Sequence, residues 1–189
     1  LYRSTPYQKA YEVGVIHNER RNKHILYEAA RAVRYGLPVM ILIQRKEHGK
    51  ILQRMLTEFG VRTNFIWGEK NQNERKAALL ALKEGRIQCL IGSTILDVGV
   101  DVHAVGMVIL AGAGKAEVAY RQRIGRGLRE KKNGMPNVCF VVDFMDPLNN
   151  HLRDHARQRK AIVERTPGFA EGILSGDFDY AAYGFKRAA

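Results

Sequence analysis

Gly36-Leu37-Pro38-Val39-Met40-Ile41-Leu42-Ile43 is a turn followed by five consecutive apolar residues, and Gln44-Arg45-Lys46 ends the run abruptly. An apolar run without alternation is what a strand covered on both faces requires. Upstream, Ile25, Leu26, Ala29, Ala32 and Val33 recur at helical spacing across 19–35, and Gly36-Leu37-Pro38 ends that helix. Downstream, Ile51, Leu52, Met55, Leu56 and Phe59 line one side of a helix over 46–59, with Gly60 as its C′ residue. The alternation then continues with a strand at 63–67, a helix at 73–84 closed by Gly85, and strands at 88–92, 106–111 and 138–144. Strands separated by helices of about 12 residues predict an α/β fold with a parallel sheet between two helical layers. Ligands of such sheets sit beyond the carboxyl ends of the strands. The loops after Ile43, Trp67, Ile91 and Leu110 are therefore where a site is expected.

The 189 residues are 46% hydrophobic, enough to bury a sizeable core in one domain with some appended structure. A net charge of +12 points to a polyanionic partner, nucleic acid before membrane. No apolar run approaches the roughly 18 residues of a membrane span, and no signal peptide opens the chain. A soluble intracellular protein is expected, cytoplasmic or associated with the nucleoid or nucleus. The chain begins at Leu1 rather than Met, which suggests a fragment. Cys89 and Cys139 sit in apolar strand-like runs without a Cys-x-x-Cys or a histidine cluster, so they are read as buried structural thiols.

Tyr120-Arg121-Gln122-Arg123-Ile124-Gly125-Arg126-Gly127-Leu128-Arg129 packs five cationic or amide side chains into ten residues. On a helix Gln122, Arg126 and Arg129 fall at i, i+4 and i+7 and share one face. Two glycines, each costing roughly 1 kcal/mol relative to alanine in a helix interior, suggest that something approaches the backbone closely. Planar, always-charged forks on one face suit a site that neutralises charge on a transferring phosphoryl group. By spacing alone, a solvated basic face or a nucleic-acid clamp is an equal alternative.

Residues 122–129 resemble the Q-R-x-G-R-x-x-R motif VI of superfamily 2 helicases and match every fixed position. The resemblance implies the C-terminal, second RecA-like (P-loop NTPase-type) domain of such a helicase, with Arg126 and Arg129 as catalytic arginine fingers and Gln122 at the nucleotide. Ser93-Thr94-Ile95-Leu96-Asp97-Val98-Gly99-Val100-Asp101 resembles motif V. By position, Thr94 would contact a nucleic-acid phosphate and Gly99 and Asp101 the ATP sugar, with Asp97 orienting the loop. Residues 40–48 resemble motif IV, Trp67-Gly68 followed by Arg75 resembles the segment after it, and Gly85-Arg86-Ile87 the approach to motif V. The likeness covers roughly 19–160.

Gln44 and Arg45, with Lys46, are nucleic-acid contact candidates, although exposed polar residues at a strand end need no such role. His48 is read as packing or capping, and Trp67 as core before base stacking. Gly112-Ala113-Gly114-Lys115 imitates a phosphate loop, but G-x-x-x-x-G-K-[ST] needs Gly where Ile109 stands and Ser or Thr where Ala116 stands. Lys115 stays a candidate for the nucleic-acid backbone.

Neither that motif nor an Asp-Glu dipeptide occurs anywhere in the chain. The expectation is a half-motor, in which ATP binds in the cleft between an absent N-terminal RecA-like domain, which holds Mg²⁺, and the face bearing Gly99, Asp101, Arg126 and Arg129, and this chain alone does not hydrolyse ATP appreciably. Gln122, where DEAD-box proteins usually carry His, places DNA ahead of RNA as partner. The alternatives are a non-catalytic nucleic-acid-binding module and the motor domain of a restriction or remodelling translocase. The layout reads as a leading segment at 1–18 with one short helix, the helicase C-terminal domain at 19–165, and an aromatic tail at 166–189. The helix at 149–165 is read as a solvated basic face carrying Arg153, Arg157, Arg159, Lys160 and Arg165. Phe169, Phe178, Tyr180, Tyr183 and Phe185 of the tail are read as packing back on the domain.

Overall fold

A computed structural model describes residues 1–68, 72–93, 105–114, 136, 138–165 and 173–188. Strands β1 (Val39–Leu42), β2 (Thr63–Ile66), β3 (Cys89–Gly92), β4 (Met107–Leu110) and β5 (Phe140–Val142) form one sheet in the order β2-β3-β1-β4-β5. Every pairing is parallel. Leu42 at the end of β1 is in register with Gly92 on one side and Leu110 on the other.

Side chains alternate across the sheet. Val39, Ile41, Cys89, Ile91, Met107 and Ile109 face helices α2 (Glu19–Arg34) and α3 (Lys46–Glu58) in one cluster. Met40, Leu42, Leu90, Val108 and Leu110 face α4 (Gln72–Lys83) through Ala78 and Leu82 in a second. All four residues of β1, β3 and β4 are buried, which is why these strands read as unbroken apolar runs. Trp67 packs against the first cluster, as a core residue. Cys89 is buried as expected, and burial pushes its thiol up, whereas Cys139 is corrected to half-buried; neither forms a disulfide among the described residues.

Helix boundaries follow local chemistry. Asn18 caps α2 by accepting from the Arg21 N–H at 3.0 Å. Gly60 follows α3 at φ +90°, a left-handed position that the missing Cβ allows. β5 is shorter than the strand expected at 138–144 and ends at Val142, after which Asp143 and the Phe144 carbonyl turn to the buried guanidinium of Arg159.

Both end segments pack on this body. Helix α1 (Tyr7–Tyr11) runs into a π-helical turn, Glu12–Ile16, and buries Ala10, Tyr11, Val15 and Ile16 against Leu152. Asn149 ties the first residues down: its amide donates to the carbonyls of Tyr2 and Thr5 at 3.1 Å, and its Oδ1 accepts from the His151 N–H at 3.0 Å in α5 (Asn150–Arg165). At the other end, Phe178, Tyr180, Tyr183 and Phe185 surround the Phe140 ring with centroids at 4.8, 5.1, 5.5 and 5.7 Å. Those four aromatics thus pack back on the domain, while Phe169 lies outside the described residues. The Ala188 N–H donates to the Arg34 carbonyl at 2.8 Å and fastens the last turn to α2. No helix among the described residues is long and apolar enough to cross a membrane.

The solvated reading of α5 holds for Arg157, Lys160 and Arg165 but is corrected at Arg159, which is fully buried. Leu152, Ala156 and Arg159 lie on one face of that helix, and the face is turned inward.

Leu56 is wholly buried between α3 and the sheet. Leu56→Ala is expected to lower the unfolding free energy by about 2–5 kcal/mol, read as a shift of the urea midpoint at unchanged m-value. An unshifted midpoint would contradict this packing.

Candidate functional site

The carboxyl ends of β3, β1 and β4 lie side by side, so three chain segments leave the sheet at one edge. β3 reaches Gly92, two residues before Thr94; β1 runs into Gln44 and Arg45; β4 runs into Ala111-Gly112-Ala113-Gly114, immediately before Lys115. Thr94, Asp97, Gly99, Asp101, Lys115, Gln122, Arg126 and Arg129 lie outside the described residues. What the structure does describe is the frame from which the segments bearing them leave the sheet.

Gln44 is half-buried and lies against Gly114, where a Cβ would collide with its amide nitrogen Nε2. The absent side chain of Gly114, the residue preceding Lys115, gives the Gln44 amide the space it occupies, and a Cβ there would make that side chain move. Arg45 is exposed, stands at the N-cap of α3 without capping it through its side chain, and holds its guanidinium 5.8 Å over the Tyr11 ring. The structure therefore brings Gln44 and Arg45 to the β4 loop from α3's start.

That loop is held by three side chains from three helices. The Arg21 Nη2 donates to the Ala111 carbonyl at 3.2 Å, the Tyr11 hydroxyl to the Gly112 carbonyl at 2.6 Å, and the Arg159 Nη1 to the Ala113 carbonyl at 2.7 Å. The Gly112 N–H in turn donates to the Leu42 carbonyl at 3.0 Å. Ala113 takes φ +54°, a left-handed conformation rare for a residue with a Cβ. Such strain costs on the order of 1 kcal/mol and persists where the surroundings over-determine it.

The same two arginines reach the loop after β5. Arg21 pairs with Asp146 at 2.5 Å, and the Arg159 Nε donates to both oxygens of Asp143 at 3.1 Å. Each guanidinium bridges a backbone carbonyl after β4 and a carboxylate after β5, and Arg21 also lies 4.3 Å from the Phe144 ring centroid. Each charge is paired, which offsets much of the cost of burial, although the Arg21 Nε and Asp146 Oδ2 have no hydrogen bond among the described residues and burial holds the Asp146 carboxyl above its ordinary range despite Arg21.

His48 is buried in the first turn of α3, its Nε2 2.9 Å from the Asn22 Oδ1. Asn22 spends its amide on the Ile16 carbonyl at 2.9 Å, so its oxygen faces the ring and the Nε2–H donates. Burial, with Arg21 and His17 adding, pushes the ring down to about 3. His48 is a neutral packing residue, as expected of it.

Tyr11, Arg21, Arg159, Asp143 and Asp146 were not candidates on sequence. The available signal was position: Arg21 precedes Ile25, Ala29 and Ala32 on the buried side of α2, as Arg159 follows Leu152 and Ala156. Among the described residues no group of His, Cys, Asp and Glu is placed to hold a metal ion.

Residues 20–131 match the family model described as helicase conserved C-terminal domain. The chain belongs to that family. This helicase C-terminal domain is 26% identical over 148 residues to the pre-mRNA-splicing ATP-dependent RNA helicase PRP28 of Cryptococcus neoformans, covering 78% of the chain and 20% of that protein. A Sulfolobus islandicus filamentous virus protein carrying a helicase name is 28% identical over 128 residues, covering 68% of the chain and 22% of its own length. The domain thus spans about a fifth of the curated relatives it matches. Among solved structures, T4 UvsW superposes with a TM-score of 0.66 at 21% identity, over 84% of this chain and 35% of that one. The RNA helicase Prp28 of Chaetomium thermophilum bound to ADP gives 0.57 at 23%, over 78% of this chain and 34% of that one. These likenesses show the RecA-like fold.

Two outcomes are expected of the helicase domain's frame. Arg159→Ala takes the buried guanidinium away from Asp143 and from the Ala113 carbonyl and is expected to cost about 3–5 kcal/mol, whereas Arg157→Ala on the exposed face stays within about 0.5 kcal/mol; chemical denaturation compares them. Because the folded His48 titrates near 3 and an unfolded histidine near about 6.5, the unfolded state binds the extra proton between those values. The His48 contribution is complete above the unfolded value and is lost as pH falls through that window, at up to about 1.4 kcal/mol per unit. Stability measured from pH 7 to 4 is expected to fall less steeply in His48→Gln than in wild type.

Proposed function

We propose that this domain is the C-terminal motor half of an ATP-dependent helicase or translocase acting on nucleic acid. The observation that carries the reading is the complete Q-R-x-G-R-x-x-R match at 122–129, lying between β4 and β5 of a parallel sheet whose carboxyl edge is the ligand side. In this reading Arg126 and Arg129 are the arginine fingers, and Gly99, Asp101 and Gln122 face the nucleotide. Thr94, Gln44, Arg45 and Lys115 contact the nucleic-acid backbone. A first RecA-like domain supplies the phosphate loop and the carboxylates that hold Mg²⁺, for which this chain has no matching motif.

The chemistry asks for charge placement. ATP hydrolysis passes through a transition state with negative charge spread over the transferring phosphoryl oxygens, and an inserted arginine is worth about 10³–10⁵ in rate. Closing the cleft between two domains brings the fingers to the γ-phosphate, and reopening shifts the grip on the strand. At that grip Arg45 is exposed and has no ion-pair partner among the described residues. It stands where the first-turn amides of α3 lack a side-chain cap. A helix amino terminus flanked by Arg45 and Lys46 is electropositive, which favours a phosphate there.

Gln122 favours DNA, and the relatives named as pre-mRNA-splicing RNA helicases favour RNA. Both substrates therefore belong in the test. In the full-length protein Arg126→Ala and Arg129→Ala are each expected to lower nucleic-acid-stimulated ATP turnover by about 10³ or more while sparing strand binding. Turnover is compared with single- and double-stranded DNA and RNA, beside the 189-residue chain alone. Unchanged turnover in both variants would sink the finger assignment.

A further inference from the structure

A second cationic and aromatic surface lies away from the carboxyl edge. Along the outer face of α2, bounded by Phe59 at the end of α3 and by the C-terminal residues 177–187, runs a groove of about 420 Å³. Its floor includes Leu26 and Ala30, and its rim carries the rings of Tyr27 and Phe59, which are 58% and 56% exposed. Tyr35 and Phe59 stand just before the turns into β1 and β2, so this groove reaches the amino end of the sheet, opposite Gln44 and Arg45.

Lys23, Tyr27 and Arg34 occupy i, i+4 and i+11 on α2, a run of about 16 Å that alternates charge and ring. Arg187 faces them from the last turn, 6.0 Å from the Tyr35 ring centroid. Lys23 has only a long, exposed contact to Glu19 at 3.8 Å, and Arg34 and Arg187 have no ion pair among the described residues. Arg31 is spent otherwise: it donates to the Gly176 carbonyl at 2.9 Å and lies over Phe178 and Tyr180, anchoring the tail. The two acids of the lining keep their charge, Asp177 accepting from the Ser175 hydroxyl and Asp179 from the Ala181 N–H at 2.9 Å, so Lys23, Arg31, Arg34 and Arg187 leave the lining cationic against two carboxylates.

Exposed rings flanked by exposed cations on a chain of net charge +12 have the two parts that a single strand reads, stacking platforms and phosphate contacts. A duplex keeps its base faces stacked and has no use for the rings. We propose that this groove is a second binding surface for single-stranded nucleic acid, separate from the carboxyl edge. The proposal rests on the nucleic-acid reading above and adds to it a second contact, so that one domain engages two stretches of strand.

The test is fluorescence anisotropy of labelled oligo-dT and oligo-U with the 189-residue chain over a salt series. Tyr27→Ala with Phe59→Ala is expected to weaken binding about tenfold or more through lost stacking. Lys23→Gln with Arg34→Gln is expected to lower the slope of log K against log salt by about 1.4, or roughly 0.7 for each phosphate contact. All four positions are at the surface, and an unchanged melting temperature checks that the variants fold. If the groove variants bind as wild type while Arg45→Gln is weakened, the groove is overturned and the carboxyl-edge reading stands. If wild type binds neither oligonucleotide, the nucleic-acid reading itself fails and takes the groove with it. Loss confined to the groove variants upholds the groove and removes Arg45 from the grip.

Discussion

Three consecutive carbonyls, those of Ala111, Gly112 and Ala113, are each held by a side chain from a different helix, and two of those side chains are buried arginines. A guanidinium cannot sit without water unless its charge and its N–H groups are answered. Here both charges, and the N–H groups that reach the loops, are answered from both loops at once, by carbonyls after β4 and by Asp143 and Asp146 after β5, while the Arg21 Nε and the Asp146 Oδ2 are left without a hydrogen bond among the described residues. The demand made by the arginines therefore fixes the relative placement of two strand ends at the edge where the family's chemistry lies. It also explains a left-handed alanine, since Ala113 must turn its carbonyl to Arg159 while Gly114 lets Gln44 in.

The frame depends on contributions from far along the chain. Tyr11 belongs to the leading segment, Arg21 to α2 and Arg159 to α5, and all three meet within four residues of one loop. A domain drawn only around the strand-helix alternation would leave out Tyr11, and with it the hydrogen bond to the central carbonyl. The aromatic residues 178–185 close the opposite side in the same manner, because four of their rings pack around that of Phe140 of β5.

Much of this was readable in the residues. β1, β3 and β4 are apolar without interruption because both faces are covered, and that pattern survives translation from sequence to structure nearly residue for residue. Arg159 was misread because charge in a basic helix says nothing about which way the helix turns; the decisive fact, that it shares a face with Leu152 and Ala156, was present but outweighed by composition. Arg21 and Asp146 are 125 residues apart, and no local pattern pairs them. At the site the balance is reversed. Arg126, Arg129 and Gln122 are legible as a spaced motif, while the contact between Gln44 and Gly114 depends on two strands lying adjacent and has no signature in either stretch.

The strand order has a consequence for how the molecule comes into being. β1 sits at the centre, yet its partners arrive late: Val39 pairs with Cys89 and with Met107, and no neighbouring strands in the sheet can be joined by a hairpin. Such non-local pairing slows folding, because loop closure must precede the contacts that reward it. During synthesis the helices that cover the two faces of Val39–Leu42 emerge first, but its two hydrogen-bonding edges stay open until residues 89–92 and 107–110 have followed, so the central strand of the sheet is for a time an unpaired edge strand.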